Sequence, residues 1–226
     1  PVSCARSVCP GLVLVSANFA YYRRRSAAFL EILRRHSSAV EQFSIDEAFL
    51  DMSARFSDRR REEAAIRACA AAIQTEIRET LGFTVNVGIS ENKLLAKMAS
   101  DFEKPDKIHT LWPEELPAKL YPLPIRSLFG VGGRSAEKLL RFGIHTIGEA
   151  AATPCDVLQR ILGPNAGEAV YYSARGLSRS EVRRERPRAK SHSVEQTTAV
   201  DIDRANMRRE LPPLLRELAE ELSSRL

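Results

Sequence analysis

The sequence predicts an α+β layer, with helices packed on a mostly antiparallel sheet, followed by an all-α region and the start of a second α+β unit. Three observations carry this. The first half reads helix, strand hairpin, helix, strand, helix. Prolines at Pro105, Pro113, Pro117, Pro122 and Pro124 then punctuate the chain and mark a boundary near residue 110. Beyond them, residues 125–177 break into short helical pieces separated by glycines.

Residues 20–35 form the first predicted helix, with Tyr22, Phe29, Leu30 and Leu33 on one side and Arg23, Arg24, Glu31 and Arg34 on the other. The string VEQFSIDEAFLDMS follows and reads as two short strands. A second helix over residues 61–81 puts Ile66, Ile73, Ile77 and Leu81 on one stripe and stops at Gly82. Val85, Val87 and Ile89 alternate with Thr84, Asn86 and Gly88, the pattern of a half-buried strand. Ser90 is the expected N-cap of a helix over residues 92–99. Past the glycine-broken region, residues 178–190 have no apolar period and dense charge, so they read as an exposed linker. Residues 191–202 look like an opening strand. A helix from about residue 205 follows, whose stripe (Leu211, Leu214, Leu215, Leu218, Leu222) needs a partner surface.

At 226 residues and 44% hydrophobic content the chain can bury a core, which excludes collagen-like, disordered and disulfide-knot classes. No apolar run approaches the roughly 20 residues of a bilayer span, so a soluble protein without a membrane partner is expected. Cys4, Cys9, Cys69 and Cys155 form no CxxC pair and have no histidine at ligand spacing. Neither a zinc site nor a disulfide framework is encoded, and a reducing, cytoplasmic setting fits. The chain starts at Pro1 without a signal-like segment and reads as an internal piece of something longer. Residues 126–190 hold 12 Lys or Arg against 6 Asp or Glu, a surplus of +6 that leaves −1 for the rest of a +5 chain. That half is a candidate polyanion binder or a solvated basic surface.

Three strings carry chemistry. In FSIDEAFLDMS, adjacent Asp46 and Glu47 can converge on one ion only if the backbone bends between two strands. Paired divalent cations bridging carboxylate and phosphate oxygens are a standard device for phosphoryl or nucleotidyl transfer, and magnesium needs few protein carboxylates. The bland alternative is an acidic turn facing water, but Phe43, Ile45, Phe49 and Leu50 flank the pair closely. In SENKLLAKMASDFEKPDK, Lys93 and Lys97 lie at i and i+4 on one helical face, either exposed or aimed at a triphosphate. In IRSLFGVGGRSAEKLLRFGIHTIGEA, a turn at Gly130, Gly132 and Gly133 leads into a helix carrying Arg134 and Lys138. Such a turn lets backbone N–H groups approach a nucleic-acid phosphate, and the theme returns at residues 162–167. The histidines (His36, His109, His145, His192) lack catalytic partners, and Trp112 reads as a packing residue.

Together SIDEAFLDMS, VGISENKLLAKMASDFEKPDK, FGVGGRSAEKLLRFGIHTIGE and KSHSVEQT resemble, in order and spacing, the Y-family or translesion DNA polymerases, most closely their DNA polymerase IV type. The resemblance implies a right-hand polymerase: a fingers tail over residues 1–14, a palm over 15–112, a helix-hairpin-helix thumb over 113–178, a linker over 179–190 and a truncated little finger over 191–226. It implies that Asp46 and Glu47, with Mg2+, align a primer end and an incoming dNTP. Lys104 matches the lysine that contacts the triphosphate, and Asp101 sits in the same motif. Ser44, Asn92 and Lys93 take supporting roles, and the thumb turn grips primer-template DNA. The family's first metal-binding aspartate, its ribonucleotide-screening aromatic and any C-terminal segment for a sliding clamp have no match here, so this piece alone is expected to be inactive. The alternatives are a non-catalytic DNA-binding repair accessory that uses only the helix-hairpin-helix, and a nucleotide cyclase, which would have no need of a duplex grip.

Overall fold

A short helix, α1 (Val2–Val8), and an irregular stretch lead into α2 (Phe19–His36) in the computed structural model, which describes residues 1–184, 189–198 and 201–224. Asn18 starts α2 by accepting the Tyr21 N–H, and Arg34, Arg35 and His36 suit the negative end of its dipole. Phe29, Leu30, Ile32 and Leu33 are buried. Tyr22 was expected on that face but is exposed, because the buried side of the helix begins only at Ser26.

Strands β1 (Val40–Gln42) and β2 (Ala48–Leu50) pair antiparallel, with Val40 opposite Leu50 and Gln42 opposite Ala48. Helix α3 (Arg59–Leu81) begins where Asp58 accepts the Arg60 and Arg61 N–H groups. It ends at Gly82, whose φ of +70° favours glycine. Phe29, Ile32 and Leu33 of α2 and Ile73, Ile77 and Leu81 of α3 close one core, on which Val40, Ala48 and Leu50 of the hairpin pack.

Next come β3 (Val87–Ile89), α4 (Lys93–Ser100) and β4 (Ile108–Thr110), with β3 and β4 paired in parallel. The expected mostly antiparallel sheet is therefore two separate two-stranded sheets, one antiparallel and one parallel. A helix between β3 and β4 returns the chain to the same end, so these two strands must run the same way. The N-cap also differs from expectation. Asn92 caps α4 by accepting the Leu95 N–H, while the Ser90 hydroxyl donates to the Leu111 carbonyl and belongs to the strand end. Helix α4 lies directly on β3: a Cβ at Gly88 would stand 1.9 Å from the Ala96 carbonyl oxygen.

Short turns over residues 113–127 lead to α5 (Gly133–Arg141), α6 (Ile147–Ala152), α7 (Cys155–Leu162) and α8 (Pro164–Ala174). One core runs from Leu95 and Leu111 through Leu120 and Ile125 to Leu139, Ile147, Leu158 and Ala174, so apolar packing continues across the proline cluster. The glycine theme at residues 162–167 serves packing. Gly163 turns the chain with φ +90°, and a Cβ at Gly167 would meet the Gln159 backbone at 2.4 Å, which lets α7 and α8 touch.

Residues 1–184 form one compact unit and 185–226 another. In the second, α9 (Met207–Ser223) forms close to where the periodicity places it, and none of its residues is buried. The strand expected over 191–202 does not form in 191–198 or 201–202, and its residues 199–200 lie outside the described residues, as do residues 185–188 of the expected linker. A strand needs a partner edge, and the described part of this unit offers none. Among the described residues no helix is long and apolar enough to cross a membrane.

Candidate functional site

The hairpin between β1 and β2 bends over residues 43–47. The Phe43 and Ser44 N–H groups both donate to the Glu47 carbonyl, at 2.9 and 3.1 Å. The Ser44 hydroxyl donates to Asp46 Oδ1 at 2.6 Å, and the Asp46 N–H donates back to Ser44 Oγ at 3.3 Å. The bend brings both sequence neighbours to the cleft. Asp46 is exposed, the Glu47 side chain is 38% exposed, and both line an open cleft of ≈ 1360 Å³.

Helix α4 and the turn after it line the same cleft and touch the hairpin. Lys97 Nζ, on a side chain 14% exposed, lies 2.7 Å from Glu47 Oε1 and 2.9 Å from Asp101 Oδ2. Lys104 Nζ lies 2.7 Å from Asp101 Oδ1. Glu47, Lys97, Asp101 and Lys104 thus make a row of alternating charge along the cleft. Burial pushes the Asp101 carboxyl up, but Lys104 and Lys97 pull it down further, so it sits below the usual carboxylate range. Burial pulls Lys97 down, and Glu47 and Asp101 more than reverse this, holding it above an ordinary lysine.

Lys93 does not stand beside Lys97 as a second phosphate-facing cation. Its ammonium is 2.7 Å from Glu41 Oε2 and lies over the Phe49 ring, and it also donates to Ser180 Oγ at 3.2 Å. The Arg183 N–H donates to the same Glu41 carboxylate at 2.7 Å, so residues 180–183 are tied back to β1. Burial pushes Glu41 up, and Lys93 with the Arg183 N–H brings it below its ordinary value. Sequence reasoning missed Glu41. Its signal, an acid one strand residue away from apolar Val40, is too common to single it out.

Asp46 and Glu47 offer hard carboxylate oxygens, the right donors for Mg2+, and magnesium takes further ligands from water and phosphate. No group of three His, Cys, Asp or Glu side chains that could hold an ion occurs among the described residues. What the pair can supply is hard oxygen donors, with Glu47 Oε1 already held by Lys97. Asp51, at the far end of β2, instead accepts the Ser53 N–H at 2.9 Å.

The glycine turn is a separate surface of the same unit. Gly130 has φ +88°, Gly132 precedes the first residue of α5, and nothing lies within 4 Å of where a Cβ would stand at Gly130, Gly132 or Gly133. The α5 N-terminus has no side-chain cap, and Arg134 and Lys138 are exposed on the helix. Open N–H groups beside two cations suit a phosphate backbone. Phe129, just before the turn, contacts Phe43 of the carboxylate hairpin with ring centroids 5.9 Å apart. Trp112 is buried with the Arg59 guanidinium over its face at 4.7 Å, and His36 pairs with Glu76 at 2.6 Å, both packing roles.

Comparison with known proteins gives the family. Residues 1–101 match the family model described as impB/mucB/samB family, and residues 126–178 match the model for the DNA polymerase-iota thumb domain. DNA polymerase IV of Clostridium acetobutylicum is 38% identical over 222 residues, covering 98% of this chain and 54% of that protein. DNA polymerase IV 1 of Bacillus subtilis is 39% identical over 227 residues, covering 100% of this chain and 53% of that one. Among solved structures, DinB from Sulfolobus solfataricus superposes with a TM-score of 0.72 at 27% identity, over 80% of this chain and 52% of that chain. An insertion ternary complex of Dbh DNA polymerase gives 0.71 at 28% identity, over 80% and 52%. The chain spans about half the length of the curated relatives it matches. The two family-model matches, relatives aligned along nearly the whole chain and a shared fold lead to one conclusion: this chain belongs to the Y family of DNA polymerases, of the DNA polymerase IV (DinB) type.

Proposed function

We propose that this chain supplies the palm (residues 15–112) and the helix-hairpin-helix thumb (113–178) of a template-directed polymerase that copies damaged DNA, with residues 179–190 as linker and 191–226 opening a little finger. The observation that carries the reading is the hairpin tip: Asp46 and Glu47 both line an open cleft, and Glu47 is joined there to the Lys97–Asp101–Lys104 row. Asp46 and Glu47 would hold Mg2+, which when bound neutralises phosphate charge and favours in-line attack by a primer hydroxyl. Lys104, 59% exposed, can leave Asp101 for a triphosphate at little cost, because an exposed ion pair contributes little. Arg134, Lys138 and the open glycine turn would hold primer-template DNA by its phosphates. DNA and dNTP as substrates imply work in the cytoplasm.

The test is primer extension by a protein of the relatives' full length. Asp46→Ala should abolish nucleotide addition while DNA affinity stays near wild type, and retained addition overturns the assignment. In the same assay the 226-residue chain by itself should be silent, because no group of three carboxylates that could hold a metal ion forms among the described residues.

A further inference from the structure

Lys97 is largely buried, with 14% of its side chain exposed, and it joins two acids of the cleft, Glu47 of the metal-holding pair and Asp101. It takes Glu47 Oε1 and Asp101 Oδ2, while Lys104 takes Asp101 Oδ1. Both oxygens of Asp101 are thereby engaged. Only one of Glu47 is, and no bond engages Glu47 Oε2 among the described residues.

We propose that Lys97 is a positioning residue that decides how the acids of the cleft are used, restricting Glu47 to its Oε2 oxygen and keeping Asp101 off the cation. This rests on Asp46 and Glu47 being the metal-holding pair. Glu47 and Asp101 lie close enough to share one ammonium, so without it they repel each other and both seek another cation. A third carboxylate would then enter the metal's shell and Glu47 could bind through both oxygens, an arrangement suited to larger, more flexibly coordinated ions than Mg2+. Lys97 prevents this from a fixed point, because α4 is seated on β3 at Gly88 with no room to shift. Sequence spacing shows Lys97 only as one of two helical lysines. The hairpin's approach to α4 gives it this place.

The experiment measures Mn2+ binding to the chain by loss of the free-ion electron paramagnetic resonance signal, with circular dichroism as a check on folding. Lys97→Met should bind Mn2+ about tenfold more tightly than wild type, the scale of removing one cation from beside the site. Lys97→Arg should restore wild-type affinity. Adding Asp101→Asn to Lys97→Met should cancel the gain, whereas Asp101→Asn alone should change affinity little. If Lys97→Met unfolds, Lys97→Gln takes its place, being neutral yet able to hydrogen-bond. Unchanged or weaker binding in the neutral variants overturns the proposal, as does a gain that survives Asp101→Asn. Glu47→Gln and Asp46→Asn keep the two ideas separate. If they weaken Mn2+ binding while the Lys97 variants do nothing, the metal reading stands and the role of Lys97 fails; if they have no effect, the metal reading itself fails.

Discussion

Glu41 shows how a residue outside the carboxylate pair can hold the cleft together. Its carboxylate gathers Lys93 and the Arg183 N–H, and so ties the first turn of α4 and residues 180–183 to β1. Its carboxyl is held below the ordinary value in the fold, so the stabilisation is complete above the unfolded-state value and is lost as pH falls through the lowered folded one. Glu41→Gln should therefore cost about 2 kcal/mol at neutral pH, the scale of a hydrogen bond to a charged group. Wild type and variant should converge in acid. Urea denaturation at pH 7 and pH 3 checks this, and a gap of equal size at both pH values would refute it. Glu41 does not stand out in the sequence, and Lys97 does so only as one of two helical lysines, because what marks their roles is a partner about fifty residues away. Asp46 and Glu47 do stand out, since both halves of that pair lie in one string.

At the scale of elements, the site is the meeting of a hairpin and a helix. The existence of the hairpin, Gly82 as the stop of α3 and the span of α4 are legible from the strand-like runs, helical period and glycine. Strand direction is not: the parallel pairing of β3 and β4 follows from the chain's return through α4, and no local pattern encodes it. The seat of α4 on β3 has a direct test. Gly88→Ala puts a methyl group against the Ala96 carbonyl oxygen and the Ser100 nitrogen, both backbone atoms that cannot rotate away. The expected loss is about 3 kcal/mol, visible as a lower urea midpoint, together with displacement of Lys93 and Lys97 from their partners. A variant with wild-type stability would show that the contact is not tight.

At the scale of the whole molecule, charge and architecture divide the work. The +6 surplus of residues 126–190 includes Arg134 and Lys138 beside an open glycine turn, while Asp46, Glu47 and Asp101, which line the cleft, belong to the other half. DNA affinity should fall steeply with salt and vary little with sequence, because phosphates are what the turn can reach. Replacing Arg134 and Lys138 together with alanine should lower the slope of log affinity against log salt by about 2, one for each lost phosphate contact. Fluorescence anisotropy across a salt series measures it, and an unchanged slope would remove the turn from the DNA interface.

Whatever is written within a few neighbouring residues could be read from the chain alone: the helices, the hairpin, the Asp46–Glu47 pair, the basic glycine turn and the family they resemble. Only the tertiary structure decided that Lys97 joins Glu47 to Asp101, that Lys93 turns away to Glu41, that the strands form two sheets, and that Phe43 meets Phe129. The physical reason is the range of the forces involved. Helical period, turn chemistry and adjacent charges act over a few residues of chain, whereas an ion pair or ring contact acts through space and exists only once packing has brought distant segments together.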